Sequence, residues 1–452
     1  MEDVANGDVP DPLPRAGGDS LRLTAAEWGL LLVLASMQFT HIVDFMIIMP
    51  LGPEYMKEMG LSPEQFGRMV SAYTISAGVA SLFAARFLDR FDRKTALLWL
   101  YGGFTVGTLL CAAAPTYTLL LAARTVAGAF GGVTAATVLA IVGDAFPHSR
   151  RGTAMGVLMY GFSLATVAGL PMGLVLAEHF GWQAPFIGLG ILSAGMLTLA
   201  AILLPSFRGH LAGEPLENES TLAVAFEPNH IRAFLLMLAL VSSSFLVAPF
   251  VATYLEFNVG LAKESLKYVY LCGGLTTMLT LTLFGKLSDR YGKLRVFWIA
   301  GFACVVPFLW IPNLPRDTPM FVVLLATTAM FVFTSGRMVP AMALITNSAA
   351  PRVRGSFMSL NSAVQQFGAG LATWIGGLLL NKVEGQEGEL IGYSKVGMLA
   401  AGAVVASVLL AGRLRPARGG ALAPDAESVH PGHEVEVADS AIMEQAEGVA
   451  AH

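Results

Sequence analysis

Charge is what this sequence has least of. Asp, Glu, Lys and Arg make up 13% of its 452 residues, about half the share found in soluble domains. A soluble chain of this length would split into domains, each wrapped in polar surface, and the composition leaves too little to wrap them. What charge there is has no dominant sign: 28 basic and 32 acidic residues give a net −4, so no basic face argues for nucleic acid. Cysteine is scarce too. Cys111, Cys272 and Cys304 all sit inside apolar runs, without the spacing of a metal site or a disulfide framework, and read as packing residues. No nucleophile–base set, nucleotide-binding loop or metal-ligand cluster stands out, which argues against an enzyme, an ATP-driven pump, a metal or any other cofactor. The N-terminus is not expected to be a cleavable leader: residues 1–20 are acidic and rich in Pro and Gly, and the first apolar run is too long for a signal-peptide core.

What is abundant is long apolar runs. Hydrophobic residues make up 55% of the chain, and a run of about 18 or more is long enough to cross a bilayer as a helix. Twelve such spans are expected near 27–50, 66–86, 95–113, 117–144, 152–177, 184–204, 232–256, 267–285, 295–313, 319–346, 355–380 and 391–412. They group into an N-terminal six-helix half (27–204) and a C-terminal half (232–412), joined by a polar linker at 205–231. A short segment, 1–26, precedes them, and an Ala-, Gly- and acid-rich tail, 413–452, reads as disordered. The chain is therefore an all-α, multi-pass membrane protein, placed in the cell membrane, or the inner membrane in a Gram-negative cell. With both termini in the cytoplasm, 19 of the 28 Lys and Arg residues fall on the cytoplasmic side and seven opposite, while Arg124 and Arg337 lie inside spans. That bias sets the orientation and favours an even number of spans.

The two halves repeat. Phe87-Leu88-Asp89-Arg90-Phe91-Asp92-Arg93-Lys94 follows the second span, and Leu287-Ser288-Asp289-Arg290-Tyr291-Gly292-Lys293-Leu294 follows the eighth, with the first aspartates 200 residues apart. Arg151-Gly152 opens span five as Arg354-Gly355 opens span eleven. Parallel six-helix repeats of this kind mark secondary transporters that bind substrate between the halves.

On these residues the chain resembles the major facilitator superfamily, whose loop signature is Gly-x-Leu-Ala-Asp-Arg-x-Gly-Arg-Lys. Gly285 to Lys293 matches it closely, while the first copy has Ala85 and Asp92 where glycines are usual. The resemblance covers about residues 25–412. Within the superfamily the chain is similar to twelve-span drug–proton antiporters of the arabinose-efflux type. Asp44 lies in span one. Arg124-Thr125-Val126-Ala127-Gly128 is similar to the family's Arg-x-x-Gln-Gly, with Ala127 for Gln. Gly161 and Gly169-Leu170-Pro171-Met172-Gly173 are similar to the antiporter motif of span five, with Leu170 separating Gly from Pro.

A charge inside a span is costly unless paired or hydrated, so each is a functional candidate. Gln38, His41 and Asp44 recur at i, i+3, i+6, giving span one a polar face expected to look into the cavity between the halves. Asp44 lies about 9 Å from the outer end of span one and Arg124 about 10 Å from that of span four, so the two can pair. If Arg124 withdrew, Asp44 would take up a proton and release it when the pair reformed. The alternative is a static pair that fixes helix packing. His41 would either share the proton or make a hydrogen-bonded helix contact. Aligning the Arg-Gly pairs sets Thr327 opposite Arg124 and Asn347 opposite Asp144, so coupling is expected in the first half and substrate shaping in the second. Arg337 in span ten is a third intramembrane charge. Asn361 and Gln365 on span eleven would face it, in a group suited to a carboxylate or sugar hydroxyls, unless Arg337 is only structural. Phe45, Trp374 and the many Met residues would line an apolar cavity or serve packing.

The resemblance implies a gating role for the repeated loops. Asp89 would face the start of span eleven at Gly355–Ser356, and Asp289 that of span five at Gly152–Thr153, where each helix N-terminus attracts an anion. These contacts would hold the outward-facing state shut on the inside. Arg90, Arg93, Lys94, Gly285, Arg290, Gly292 and Lys293 complete the set, with Arg93 pairing with Asp144. Gly161, Gly169, Pro171 and Gly173 would let span five bend or pack closely. The expected function is proton-coupled efflux of a drug-like compound, sugar or metabolite by a monomer that draws on the proton gradient. The alternatives are uptake of a metabolite on the same fold, or a sensor that no longer transports.

Overall fold

A computed structural model of the chain describes residues 23–87, 90–207, 221–382 and 389–417. Its first half holds α1 (Ala25–Ile47), a short α2 (Gly52–Glu58), α3 (Pro63–Phe87), α4 (Arg93–Ala113) and α5 (Tyr117–Ala145). Then α6 (His148–Leu164) runs through a π-turn (Ala165–Gly169) into α7 (Leu170–Phe180), and α8 (Ala184–Leu203) ends the half. A short α9 (Thr221–Phe226) lies within the stretch expected to be a plain linker. The second half repeats the plan. α10 (Pro228–Val247) continues through a 3₁₀ turn into α11 (Val251–Phe257), followed by α12 (Leu266–Tyr291), α13 (Lys293–Trp310), α14 (Met320–Asn347) and α15 (Arg354–Leu379). A two-residue hairpin, β1 (Asn381–Lys382) with β2 (Leu390–Ile391), leads to α16 (Tyr393–Ala411). Helices suit this chain because each satisfies its backbone N–H and C=O groups internally, as a bilayer demands.

Among the described residues, ten helical stretches are long and apolar enough to cross a membrane. The remaining two of the expected twelve, α3 and α15, are as long, at 25 and 26 residues, but more polar. The reason is packing: they lie against each other at the junction of the halves. A Cβ on Gly67 would come 2.9 Å from the Thr373 carbonyl oxygen, and one on Gly377 would come 2.8 Å from that of Pro63. Small residues let two backbones meet this closely in a membrane. A second seam joins the π-turn to α12, where a Cβ on Gly274 would lie 2.5 Å from the Thr166 carbonyl oxygen.

The α3–α15 seam starts at one end of the molecule, called here the far end, and runs past the middle to Gly78 and Gln366; the basic end, opposite, carries the Asp-Arg motifs. Three polar contacts tie the halves at the far end. Lys263 pairs with Glu54 at 2.5 Å, Lys267 with Glu178 at 3.3 Å, and Lys382 donates to the Met56 carbonyl at 3.4 Å. Toward the basic end α6 and α12 part, leaving a cleft of about 580 Å³ lined by Gly156, Tyr160, Ser163, Met278 and Lys286. A Cβ on Gly152, Gly285 or Gly355 would meet open space. The molecule is closed at the far end and open at the basic end.

One motif differs in form from its sequence reading. Asp289 and Arg290 do not lie in a loop: α12 continues through Tyr291, and only Gly292, at φ 88°, turns the chain into α13. Glycine tolerates that left-handed backbone at no steric cost.

Candidate functional site

The site starts from a charge pair. Asp44 on α1 and Arg124 on α5 are both fully buried, with Arg124 Nη1 3.0 Å from Asp44 Oδ2 and 3.2 Å from the Asp44 carbonyl oxygen. Thr108 Oγ1 on α4 donates to Asp44 Oδ1 at 3.1 Å. The equal-depth argument made from the sequence is realised as this contact. Arg124 also stands over the Tyr73 ring of α3, 4.3 Å from its centroid. The α5 backbone can come close enough because Gly128 packs on α3: a Cβ there would lie 2.2 Å from the Tyr73 carbonyl oxygen. Thr108 and Tyr73 were not singled out by sequence, since a Thr or Tyr in an apolar helix carries no periodic signal of its own.

The polar face of α1 points elsewhere than expected. It turns into the first half's own bundle, and the residues that α1 presents to the cavity between the halves are Ile42, Phe45 and Met46, with Met49 just beyond its end. Thr108 on α4 and Arg124 on α5 supply the partners for Asp44, and burying that costly group among polar partners decides the rotation of α1. His41 packs 6.2 Å from the Tyr73 ring and 5.8 Å from Phe104, centroid to centroid, and neither ring nitrogen has a hydrogen-bond partner among the described residues. A hydrogen-bonded helix contact is therefore not its role here. Gln38 is half-buried, with Oε1 likewise unpartnered.

The cavity has a volume of about 370 Å³, within the range of small-molecule sites. Its walls are mostly apolar, with Phe45, Phe162, Tyr270, Phe308 and Phe331 contributing aromatic surface. Trp374 is instead 38% exposed and does not line it. Phe45 lies 5.4 Å from Tyr73 and 6.0 Å from Phe245 on α10, centroid to centroid. The charge pair therefore connects to the cavity wall through Tyr73 and Phe45, and to the other half through Phe245.

Polar groups enter the cavity from the second half. Arg337 on α14 lines it and is fully buried, as does Gln365 on α15. The hydrogen bonds of Arg337 run to α10 rather than to Asn361 or Gln365: Nη2 donates to Ser243 Oγ at 2.7 Å, Ser244 Oγ at 2.8 Å and the Leu240 carbonyl at 3.2 Å. Asn361 is buried with Oδ1 unpartnered. At the position aligned with Arg124, Thr327 bonds only within its own helix, to the Val323 and Leu324 carbonyls.

The basic end shows the open form of the expected gate. Asp89 lies outside the described residues. Asp289, Arg290 and Arg90 are exposed, and the expected contact of Asp289 at Gly152–Thr153 is not made, because α6 and α12 are apart there. Arg93 does pair with Asp144, at 3.2 Å. Lys94 and Lys293 sit half-buried in the first turns of α4 and α13. Asp92, standing where glycine is usual, caps α4 through Thr95 and accepts hydrogen bonds from Ser206 Oγ at 3.0 Å and the Phe207 amide at 2.8 Å. Partial burial pushes its carboxyl up, but the donors on Ser206, Thr95 and Phe207 win and hold it below the usual carboxylate range. The substitution ties the loop to the end of α8.

In span five, Gly161 packs on α1, where a Cβ would lie 2.6 Å from the Ala35 carbonyl oxygen. Gly169 and Gly173 face Val43 and Ile47 of the same helix. Pro171 falls in the first turn of α7, directly after the π-turn. A proline cannot donate to the preceding turn, and the widened π-turn lets the helix continue past it.

Two six-helix halves around a central cavity, with a buried charge pair in one of them, define a secondary transporter. The profile of the Major Facilitator Superfamily matches residues 34–243 and again 233–435, and the chain belongs to that superfamily. It is 27% identical over 365 residues to the uncharacterized MFS-type transporter YceJ of Bacillus subtilis, covering 80% of this chain and 91% of that protein. It is 26% identical to a chloramphenicol resistance protein of Streptomyces lividans, covering 75% and 86%. To the putative transporter AraJ of Escherichia coli it is 24% identical, covering 58% and 66%. Among solved structures, a D-xylose-proton symporter superposes with a TM-score of 0.69 at 14% identity, covering 86% of this chain and 97% of that one. A bacterial homolog of the lysosomal transporter Spinster, inward-facing and unoccupied, gives 0.62 at 15% identity, covering 87% and 96%. These structures establish the fold alone. The chain is thus a multi-pass membrane transporter of a small molecule and not an enzyme.

Proposed function

We propose that the chain exports small organic molecules in exchange for protons, by alternating access. The observation that carries this reading is the fully buried Asp44–Arg124 pair, connected through Tyr73 and Phe45 to the cavity wall. Taking the basic end as cytoplasmic, on the count of loop Lys and Arg, the described conformation faces inward and its cavity can fill from the cytoplasm. In this state Arg124 keeps Asp44 ionised, with its proton already given up. When a substrate enters and the halves rock toward the outward-facing form, movement of Phe45 and Tyr73 draws Arg124 from Asp44. The bare carboxylate then takes a proton from outside. Return to the inward state restores the pair and delivers that proton to the cytoplasm. The likeness to a chloramphenicol resistance protein supports export over uptake, as does the Gly-rich run around Pro171 in span five.

The test uses inverted membrane vesicles with an acid interior, a pH-sensitive dye, and a panel of amphipathic compounds beginning with chloramphenicol. A transported compound should dissipate the gradient, and Asp44→Asn should abolish that response while the protein remains in the membrane. Full coupled transport by Asp44→Asn would falsify the assignment of Asp44. Compound and protons moving in the same direction would instead establish uptake. Phe45→Ala is expected to loosen the link, letting protons leak without substrate.

A further inference from the structure

We infer that the cavity selects amphipathic organic anions, a carboxylate or sulfonate on an apolar body, with Arg337 as the residue that receives the charge. This deepens the transport reading above and rests on it only for the cavity being a substrate site.

The argument begins with an imbalance. Among the described residues two arginines are completely buried within the helices, and they are treated differently. Arg124 has a carboxylate against it, Asp44. Arg337 has only neutral acceptors, the hydroxyls of Ser243 and Ser244 and the Leu240 carbonyl, and all three bind the same nitrogen, Nη2. Its Nε and Nη1 have no hydrogen-bond partner among the described residues; Nε and Nη2 of Arg124 have none either, so what sets Arg337 apart is the missing carboxylate. Among the described residues no acid pairs with it: Glu256, on the short α11, lies near the far end and Asp289 at the basic end of α12. A buried guanidinium with unused donors and no counter-charge is costly to keep. Three acceptors clamp one corner of it so that it stays in place while the remainder is unsatisfied.

Its position gives that cost a use. Arg337 borders the 370 Å³ cavity beside Gln365, Ser244 and Ser335, but its Nε and Nη1 expose no surface to it, so a ligand's charge reaches them as the neighbouring side chains shift. Phe308, another wall residue, has its ring 5.7 Å from the guanidinium carbon. The rest of the wall is aromatic and Met-rich, with Phe45, Met46 and Phe331. A ligand that satisfies both parts needs an anionic head for the free donors and an apolar body for the rings. A cation would meet an uncompensated positive charge. A neutral amphiphile would fill the apolar part and leave the donors unpaired. Ionic hydrogen bonds are about twice as strong as neutral ones, so the anion is the preferred occupant.

The test measures equilibrium binding by calorimetry, in nanodiscs of neutral phosphatidylcholine, with three ligands of one shape. These are naphthalene-2-sulfonate, naphthalene-2-sulfonamide and the N,N,N-trimethylnaphthalen-2-aminium cation. The wild-type protein should bind the sulfonate at least about tenfold tighter than the sulfonamide, with the cation weakest. Arg337→Gln should erase the difference between sulfonate and sulfonamide, while Arg337→Lys should keep a reduced preference. The wild-type comparison needs no variant, so it stands even if Arg337→Gln fails to fold. Equal or weaker binding of the sulfonate, binding of none of the three, or a preference that survives in folded Arg337→Gln overturns the inference. An anionic lipid headgroup offers the same chemistry. Repeating the titration in phosphatidylglycerol discs separates the sources: retained sulfonate binding supports a soluble anion, and its loss there reassigns the site to lipid and overturns the inference. The binding preference is read without a proton gradient, so a failure of proton coupling is distinguished from a failure of anion selection.

Discussion

Arg124 Nη1 lies 3.0 Å from Asp44 Oδ2, and neither side chain is exposed. A buried pair of this kind is held less by its net attraction than by the cost of breaking it. Removing one partner leaves an uncompensated charge in a dry interior, at about 3–5 kcal/mol. Asp44→Ala and Arg124→Ala should therefore each lower the melting temperature of the purified protein by several degrees. The double variant, which leaves no lone charge, should recover part of the loss. Melting in nanodiscs checks this, and a double variant as unstable as the sum of the singles would show that the two residues do not act as a pair.

Asp92 bears on the loop rather than the cavity. Its carboxyl sits below the usual range because Ser206, Thr95 and Phe207 donate to it, against the upward push of partial burial. A depressed value in the folded state means stabilisation that is present above the unfolded carboxylate value, near pH 3.9. It is lost as pH falls through the lower folded value. Asp92→Asn keeps an N-cap acceptor but loses the charge that strengthens its hydrogen bonds, and should melt about 1–2 °C below wild type at pH 7. The gap should close below about pH 4. A difference that stays constant down to pH 3 would show that the charge of Asp92 contributes nothing.

Much of this architecture was legible in the sequence, and what was not has identifiable causes. The spans could be read because a bilayer requires runs of apolar residues, and α3 and α15 were found even though the α3–α15 seam makes them the more polar helices. Equal depth showed that Asp44 and Arg124 can pair, and the structure makes that contact. The direction Asp44 faces did not: hydropathy says how deep a residue sits in the membrane but not which neighbour its helix turns it toward. Packing by Thr108, Tyr73 and Gly128 rotates that face into the first half. Arg337 was likewise visible as an intramembrane charge. Its partners Ser243 and Ser244 lie more than 90 residues away, and nothing in their local spacing marks them.

The glycines of span five separate close packing from simple composition. A Cβ on Gly161 would lie 2.6 Å from a backbone oxygen, that of Ala35, which cannot rotate away. One on Gly169 would lie 2.3 Å from Cγ2 of Val43, a buried β-branched side chain with one favoured rotamer in a helix, and one on Gly156 would meet nothing within 4 Å. Gly161→Ala and Gly169→Ala should each cost about 1–3 kcal/mol, the range of an overpacked contact. Gly156→Ala should be neutral or slightly stabilising, since Ala favours the helix. Thermal melting of the three variants gives the order, and equal effects at Gly156 and Gly161 would sink the packing argument.

The far-end ion pairs set how readily the halves separate there. Lys263–Glu54 and Lys267–Glu178 join opposite halves with side chains that are partly exposed. Such pairs are worth about 0.2–1 kcal/mol each, and salt screens them. Losing both should shift the closed-to-open ratio by about fivefold, which corresponds to roughly 1 kcal/mol. Spin labels at Lys57 and Arg316, on far-end segments of different halves, would report this as a larger fraction of long distances in Lys263→Gln/Lys267→Gln. Raising the salt should move the wild type in the same direction and the variant hardly at all. The exchange Glu178→Lys with Lys267→Glu restores an attraction of the same geometry and should return the distances to those of the wild type. If it does not, while the single changes open the far end, these lysines act through packing of their methylene stems rather than through charge.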